Sequence, residues 1–325
     1  MATIRGDQNW FFKDDELTGT SRQDFIYGLD GNDLILGGGG NDRLFGGNGD
    51  DRLHGGDGAD ILDGGNHNDV LYGGANNDTL LGGWGNDRMY GGDNNDTFRD
   101  LNGNDRMDGG AGTDTVDYSG FYGQVVANLA RGTATQEEGI YRVGSGMEFH
   151  SIGTDTLVSI ENISGGRFND RITGSSANNR IEGGEGNDTL SGAGGHDVIV
   201  GGLGRDILSG GTGSDTFVFN TRPTDTINLD QITDFRSVDD VIHLDDAIFT
   251  ALERGALDAD AFRIVDTQRP SGLDADDRIV VSSWNGIVFY DADGSGAREA
   301  VAVADLDIGQ PGVLSSLSAS DFFVV

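Results

Sequence analysis

The chain has 325 residues, 56 of them Gly and only 3 Pro, no Cys, and a formal net charge of −34. That much Gly with so little Pro excludes collagen, and 55 acidic against 21 basic residues, with Lys13 the only lysine and no basic stripe, excludes nucleic acid as a partner. No apolar run approaches the ~20 residues needed to cross a bilayer, the opening MATIRGDQNWFF lacks the charged-then-apolar pattern of a signal peptide, and the absence of Cys leaves the redox compartment open.

Residues 1–18 read as an N-terminal cap. Asp15 and Leu17 fall at the sixth and eighth positions of a degenerate nine-residue unit, and Trp10, Phe11 and Phe12 are placed to cover the end of a core. From 19 to 117 the chain is periodic. Residues 37–63 show the pattern most clearly, as GGGGNDRLF, GGNGDDRLH and GGDGADILD: Gly at positions one, two and four, Asp at six, an aliphatic residue at eight. Such strict self-similarity is an internal repeat. Six residues rich in Gly and Asp make a turn, because Gly reaches φ > 0 freely and its bare backbone leaves carbonyls open to an ion. The last three make a very short strand in which only position eight points inward. That column is apolar throughout: Ile26, Ile35, Leu44, Leu53, Leu62, Leu71, Leu80, Met89, Phe98, Met107 and Val116. Two units therefore form one 18-residue coil, and coils stack about 4.8 Å apart as parallel sheets.

The sixth positions of the first array are Asp24, Asp33, Asp42, Asp51, Asp60, Asp69, Asp78, Asp87, Asp96, Asp105 and Asp114. Residues spaced by 18 face the same ion from adjacent coils. Asn76 and Asn94 at position four tolerate φ > 0, His67 less so, and Arg22 weakens the first turn. Asp100 and Leu101 replace both leading glycines of the tenth unit, which predicts weak or partial binding there.

Residues 118–164 lose the period but alternate like strands, and read as the same solenoid continued in longer, metal-free coils, with Glu161 and Ile163 already back at positions six and eight. A second array, 165–218, places Asp170, Asn179, Asp188, Asp197, Asp206 and Asp215 at position six; Phe168 and Ala177 stand where a turn Gly belongs, and Asn179 brings no charge. Residues 219–325 are non-repetitive. DTINLDQITDF and DDVIHL read as strands, AIFTALERG as a short helix stopped by Gly255, and DRIVV with GIVFYD as a hairpin. DADGSG places Asp291, Asp293 and Ser295 like the front of a calcium loop, yet Ala302 occupies the twelfth position, so it is no EF-hand.

At the nonapeptides the chain resembles the secreted bacterial RTX proteins, whose repeats form the β-roll of serralysin-type proteases, RTX toxins and alginate-epimerase modules. The resemblance covers most of the chain, and it implies an all-β fold: a right-handed parallel β-roll with a C-terminal, mostly-β secretion region. It also implies that the metal is Ca²⁺, held by the position-six residues named above and by backbone carbonyls of turn glycines such as Gly38, Gly40, Gly47, Gly49, Gly56, Gly58, Gly184, Gly186, Gly202, Gly204, Gly211 and Gly213, with Asn179 as a further candidate; Asp291 and Asp293 are candidates by the spacing of their own loop. The two arrays offer thirteen pairs, and thirteen divalent ions would bring the formal charge from −34 to about −8. Departures at Arg22, Asp100, Leu101, Phe168, Ala177 and Asn179 weaken their own sites.

No HExxH motif and no pore-forming stretch occurs, and the histidines (His54, His67, His150, His196, His243) lack the spacing of a metal set. The leading reading is a non-enzymatic, secreted calcium-binding protein that folds outside the cell. Against it stand an extracellular polysaccharide-active enzyme, for which Tyr141, Glu148 and His150 are the candidates, and an adhesin using the outward column Leu36, His54, Tyr72 and Tyr90 to stack sugars. LSASDFFVV, with Asp321 before Phe322, Phe323, Val324 and Val325, resembles the uncleaved C-terminal signal of type I export, which would make a type I exporter a partner.

Overall fold

In the computed structural model the repeats build stacked coils with a strand on either side. The structure describes residues 2–325 apart from 7–12, 101, 138–139, 144–145, 150–152, 225–226, 272, 295–298 and 308–315; Trp10, Phe11, Phe12, Leu101, His150 and Ser295 thus lie outside the described residues. The chain divides into two units, Met1–Arg167 and Phe168–Val325.

In the first unit, alternate repeats feed opposite sheets. Thr3–Arg5, Phe25–Asp30, Arg43–Asn48, Ile61–Asn66, Thr79–Trp84, Thr97–Arg99, Thr115–Asp117 and Asn162–Ser164 pair in that order in one, all parallel. Glu16–Thr18, Leu34–Gly39, Arg52–Asp57, Val70–Ala75, Arg88–Asp93, Arg106–Ala111 and Gly153–Val158 pair in the other. The register within the repeats is 18 residues, as in Ile35↔Leu53 and Leu53↔Leu71. All eleven position-eight side chains from Ile26 to Val116 are fully buried.

The strands are longer than the predicted three residues. Most span six, because the ladder continues through the two leading glycines of the next unit: Gly47 pairs with both Leu29 and Gly65. Gly47 adopts φ +115° while keeping this register, a conformation that costs Gly no steric strain. At position four, His67, Asn76 and Asn94 all take φ +80°, so each keeps the turn that Gly makes elsewhere.

Residues 118–164 correct a second expectation. Gly153–Val158 and Asn162–Ser164 do extend the two sheets in parallel, with Met107↔Leu157 and Val116↔Ile163. Between them, however, Val125–Asn128 and Thr133–Gln136 form an antiparallel hairpin, and the second strand runs antiparallel to Gly153–Val158. A 3-10 turn over Leu129–Arg131 reverses the chain. It starts with the Asn128 side chain accepting the Arg131 amide and ends at Gly132 with φ +66°. Ile140–Val143 and Gly146–Phe149 make a separate two-stranded ladder.

In the second unit Ile172, Ile181, Leu190, Ile199, Leu208 and Phe217 form a buried column of their own. One sheet runs Arg180–Glu185, Val198–Leu203, Thr216–Phe219, Val241–Leu244 and Phe322–Val324; the other runs Arg171–Thr173, Thr189–Ser191, Ile207–Ser209, Asp230–Ile232 and Val301–Leu306. Ile279–Ser282 and Ile287–Tyr290 form the antiparallel hairpin, with Val280 opposite Phe289.

The predicted helix over 247–255 is not formed. Phe249 is fully buried and meets Tyr290 edge-on at 5.1 Å, and the Ala251 amide donates to Tyr290 Oη (2.9 Å) instead of closing an α-turn. Gly255, at φ +119°, enters a short strand beside the C-terminal one rather than capping a helix.

Leu62 lies in mid-column, paired with Leu44 and Leu80. Leu62→Ala is expected to lower stability by about 2–5 kcal/mol, the usual penalty for a cavity in a packed core. Denaturant unfolding in saturating calcium checks this.

Candidate metal centres

The turns place the position-six aspartates inside, at 0–2 % exposure. A carboxylate this buried needs partners for both oxygens. Oδ1 has one in each register-matched pair of the arrays, where the amide of the earlier aspartate donates to Oδ1 of the residue 18 later at 2.7–2.9 Å, as in Asp33 to Asp51 and Asp51 to Asp69. Oδ2 does not. In Asp33, Asp42, Asp51, Asp60, Asp69, Asp78, Asp87, Asp96, Asp105, Asp114, Asp188, Asp197, Asp206 and Asp215 this atom is buried without a hydrogen-bond donor.

The surroundings of the open oxygens are equally regular. A Cβ added at Gly46 would overlap both Asp51 Oδ2 and the Gly64 carbonyl, and Gly37, Gly55, Gly64, Gly73 and Gly183 repeat the arrangement. A carboxylate and a peptide oxygen of adjacent coils thus converge on one small volume that only Gly leaves free. The position-two and position-four glycines stack similarly: a Cβ at Gly56 would overlap the Gly38 carbonyl, at Gly58 that of Gly40, and at Gly202 that of Gly184. A buried, oxygen-only donor set with formal charge and missing donors fits a hard divalent cation of calcium's size and flexible geometry. The position-one carbonyls were not among the ligands expected from sequence, since nothing in a bare Gly marks which carbonyl turns inward.

Two turns differ. Asp24 Oδ2 accepts both the amide and the hydroxyl of Thr20 at 2.7 Å, and the Asn179 carbonyl accepts the Ser175 amide at 2.7 Å. Both units carry a hydroxyl residue at position two, which also accepts the position-four amide, Arg22 to Thr20 Oγ1 (3.2 Å) and Ala177 to Ser175 Oγ (3.1 Å). Arg22 and Ala177 are therefore parts of self-contained turns rather than strained substitutes for Gly.

Protein donors also close other edges. Asp155 follows Asp105 in the ladder, accepting its amide at 3.1 Å, and its other oxygen accepts Tyr118 Oη (2.7 Å) and Gln136 Nε2 (2.9 Å). Asp240 accepts the Asp215 amide on one oxygen (3.0 Å) and the Arg236 amide on the other (2.8 Å).

A second ladder was missed in the sequence, although position five is Asn in ten of the seventeen units. The amides of Asp50, Asn68, Asn86 and Asn104 donate to the side-chain Oδ1 of the position-five residue one coil earlier, at 2.8–2.9 Å. This ladder runs opposite to the aspartate ladder and requires no ion.

Other candidates disperse. Asp291 Oδ1 accepts the amides of Asp293 and Gly294 (both 3.1 Å) and its Oδ2 is buried without a donor. In the outward column the rings of His54, Tyr72 and Tyr90 lie 4.6 and 5.0 Å apart and within 9° of parallel. Their faces are turned on one another rather than to a sugar, which is cross-strand packing. Tyr141 pairs with Glu148 in backbone register.

Burial pushes the open carboxyls up, with neighbouring aspartates adding to it: to about 7 for Asp51, about 8 for Asp69, Asp78 and Asp188, and about 6 for Asp60 and Asp197. Asp24 shifts the other way, chiefly because the Thr20 hydroxyl donates to it.

A calcium-type nonapeptide solenoid is what this fold and these turns define. The RTX calcium-binding nonapeptide repeat family matches residues 13–44, 45–80, 63–98, 81–116, 160–190 and 191–220. These segments together cover just over half of the chain, which belongs to that family. Its repeats bind calcium. No curated protein sequence matches. Among solved structures, the AlgE6R3 subunit of the Azotobacter vinelandii mannuronan C5-epimerase is 29 % identical, over 48 % of this chain and 77 % of its own, at a TM-score of 0.32. The AlgE6R2 subunit is 25 % identical, over 50 % and 91 %, at 0.34. The extracellular lipase LipA of Serratia marcescens is 18 % identical, over 91 % of this chain and 45 % of its own, at 0.28.

A raised carboxyl binds more protons folded than unfolded. Between the unfolded value near 3.8 and folded values of about 6–8, stability of the calcium-free roll therefore falls as pH rises. In excess chelator, acidifying from about pH 8 to about pH 5 should increase the β signal in circular dichroism; a flat or declining signal contradicts this account.

Proposed function

We propose that the chain is a secreted calcium-binding protein that folds as Ca²⁺ fills its turns, and that residues 1–325 act by binding rather than by catalysis. The observation that carries this is the repeated open oxygen: fourteen buried aspartates, each held on one side by the preceding coil and lacking a donor on the other. Without an ion these carboxylates repel one another at coil spacing, while the Gly-rich turns lose much chain entropy on ordering. Binding free energy then becomes folding free energy.

Since Asp24, Asp170 and Asn179 are not among the open residues, counting only pairs in which both aspartates keep an open Oδ2 lowers the expected number of array ions from thirteen to ten. Each is bound at about 10⁻⁴–10⁻³ M, the range of extracellular modules, with steep cooperativity because one ordered coil templates the next. Asp51→Ala removes an Oδ1 from Asp33 and an open oxygen from its own turn. Native mass spectrometry during a calcium titration should show about two ions lost and a weakened first array, with the second nearly intact; equal loss in both arrays contradicts this.

Export by a type I system follows from the same energetics. Phe322–Val324 is an interior strand, parallel to Val241–Leu244 with Phe322 and Val324 buried, and the Asp321 carboxylate accepts the Ser318 amide at 2.6 Å. A signal at this terminus is readable only before the roll closes, and cytosolic calcium lies far below the affinity just given, so the chain stays unfolded until it meets calcium outside. Deleting 321–325 in a host carrying a type I exporter should leave the protein in the cells. Efficient appearance of the truncated chain in the medium contradicts the assignment.

A further inference from the structure

One turn carries a second acid. Asp100 occupies position one of the tenth unit, where Gly is the rule, and it is 2 % exposed. Its Oδ1 accepts the Asn102 amide at 3.3 Å, which sets the rotation of the carboxylate. Its Oδ2 converges with that of Asp87, since a Cβ at Gly82 would overlap both. At Gly46, Gly55 and Gly73 the corresponding volume is shared by a carboxylate and a peptide carbonyl. Asp100 thus puts a full carboxylate where ordinary turns offer only a carbonyl.

Asp105 completes the group. Ligand oxygens of Asp87, Asp100 and Asp105 all lie within 4.8 Å of one another, and all three residues are buried. Independently of that clustering, the Oδ2 atoms of Asp87 and Asp105 are buried with no hydrogen-bond donor, on residues 1 % and 2 % exposed. The arginines nearest in sequence are engaged elsewhere: Arg99 pairs with Asp117 and Arg106 with Asp108, each at 2.8 Å. Asp155, one coil beyond, has its carboxylate filled by Tyr118, Gln136 and the Asp105 amide, so it does not compete for an ion.

We propose that Asp87, Asp100 and Asp105 form a cation site of a different kind from the other turns, tighter for calcium and selective for trivalent over divalent oxygen-seeking ions. It rests on the reading of the repeats as calcium sites. Two carboxylates balance a divalent ion; three leave one negative charge uncompensated and balance a trivalent one. In a buried site that extra charge is weakly screened, and affinity at oxygen-ligand sites rises with the ligand charge.

Trp84 supplies a reporter. It lines the same groove as Asp100 and Asn102, and its backbone bridges to Asn102. Terbium(III) bound at the site should therefore be sensitised by tryptophan excitation. The full chain, folded in calcium, is titrated with terbium, which displaces calcium site by site, and then back-titrated with calcium, beside Asp100→Gly, Asp100→Asn and Trp84→Phe. Gly at position one restores the residue used by the other turns, and Asn keeps the shape while removing the charge, so both variants should retain the fold.

In wild type, sensitised emission should rise with the first equivalents of terbium. Both Asp100 variants should shift its midpoint upward at least about tenfold, and the calcium midpoint by less. Trp84→Phe should lose the emission while native mass spectrometry shows unchanged ion uptake. Equal midpoints in wild type and the Asp100 variants, or tighter binding without Asp100, overturn the site. A wild-type chain that takes up no calcium overturns instead the reading of the whole array, so the two failures are distinguishable.

Discussion

Each array depends on a carboxylate that is buried and half satisfied. One oxygen of a position-six aspartate ties its coil to the preceding one through a backbone amide. The other has no donor and faces a peptide carbonyl. A group in that position is costly while empty, whether it stays charged and repels its neighbours or binds a proton, and becomes favourable once a cation sits against it. The rest of the repeat serves this arrangement. Gly at position one leaves the volume free, Gly at positions two and four bends the turn, and the single inward side chain per unit stacks the coils without filling the space between the turns.

The same demand explains how arrays end. Where the stack starts or gives way to other structure, a protein donor meets the kind of oxygen that stays open elsewhere. Thr20 fills Asp24, Ser175 fills Asn179, Tyr118 and Gln136 fill Asp155, and the Arg236 amide fills Asp240. In these turns the oxygen of the position-six side chain, or of Asp155 or Asp240, has a protein donor and needs no ion to satisfy it. Repeat proteins require atypical terminal units, and here the atypical feature is hydrogen-bonding chemistry at the turn as much as a covered core. The position-five ladder adds a second ion-independent link between coils, pointing the opposite way along the stack.

The last strand is fixed from both sides. Phe322–Val324 is an interior member of its sheet, between Val241–Leu244 and Gly255–Ala256, with Phe322 fully buried, so its apolar side chains are covered once the sheet has formed.

Much of this was legible in the sequence because a nine-residue period leaves little freedom. Gly at fixed positions dictates the turn, the apolar eighth position dictates the core, and the 18-residue coil dictates which aspartates meet; all of these are consequences of local geometry repeated without change. What the sequence could not show was how each carboxylate divides its two oxygens, because that depends on an amide from another coil. For the same reason nothing in the sequence singled out Thr20, Ser175 or the position-five asparagines, and Asp100 read as a loss of Gly rather than as an added buried carboxylate. Outside the period the local signals lost to tertiary contacts: Phe249 and Tyr290 unwound the predicted helix at 247–255, and the Asn128-capped turn folded 118–164 back on itself as a hairpin. The sequence by itself determined the repeat, its fold and its candidate ligand residues; only the tertiary structure decided which turns are open to an ion and which the protein closes for itself, since a donor for a buried oxygen is a property of neighbours brought together in space.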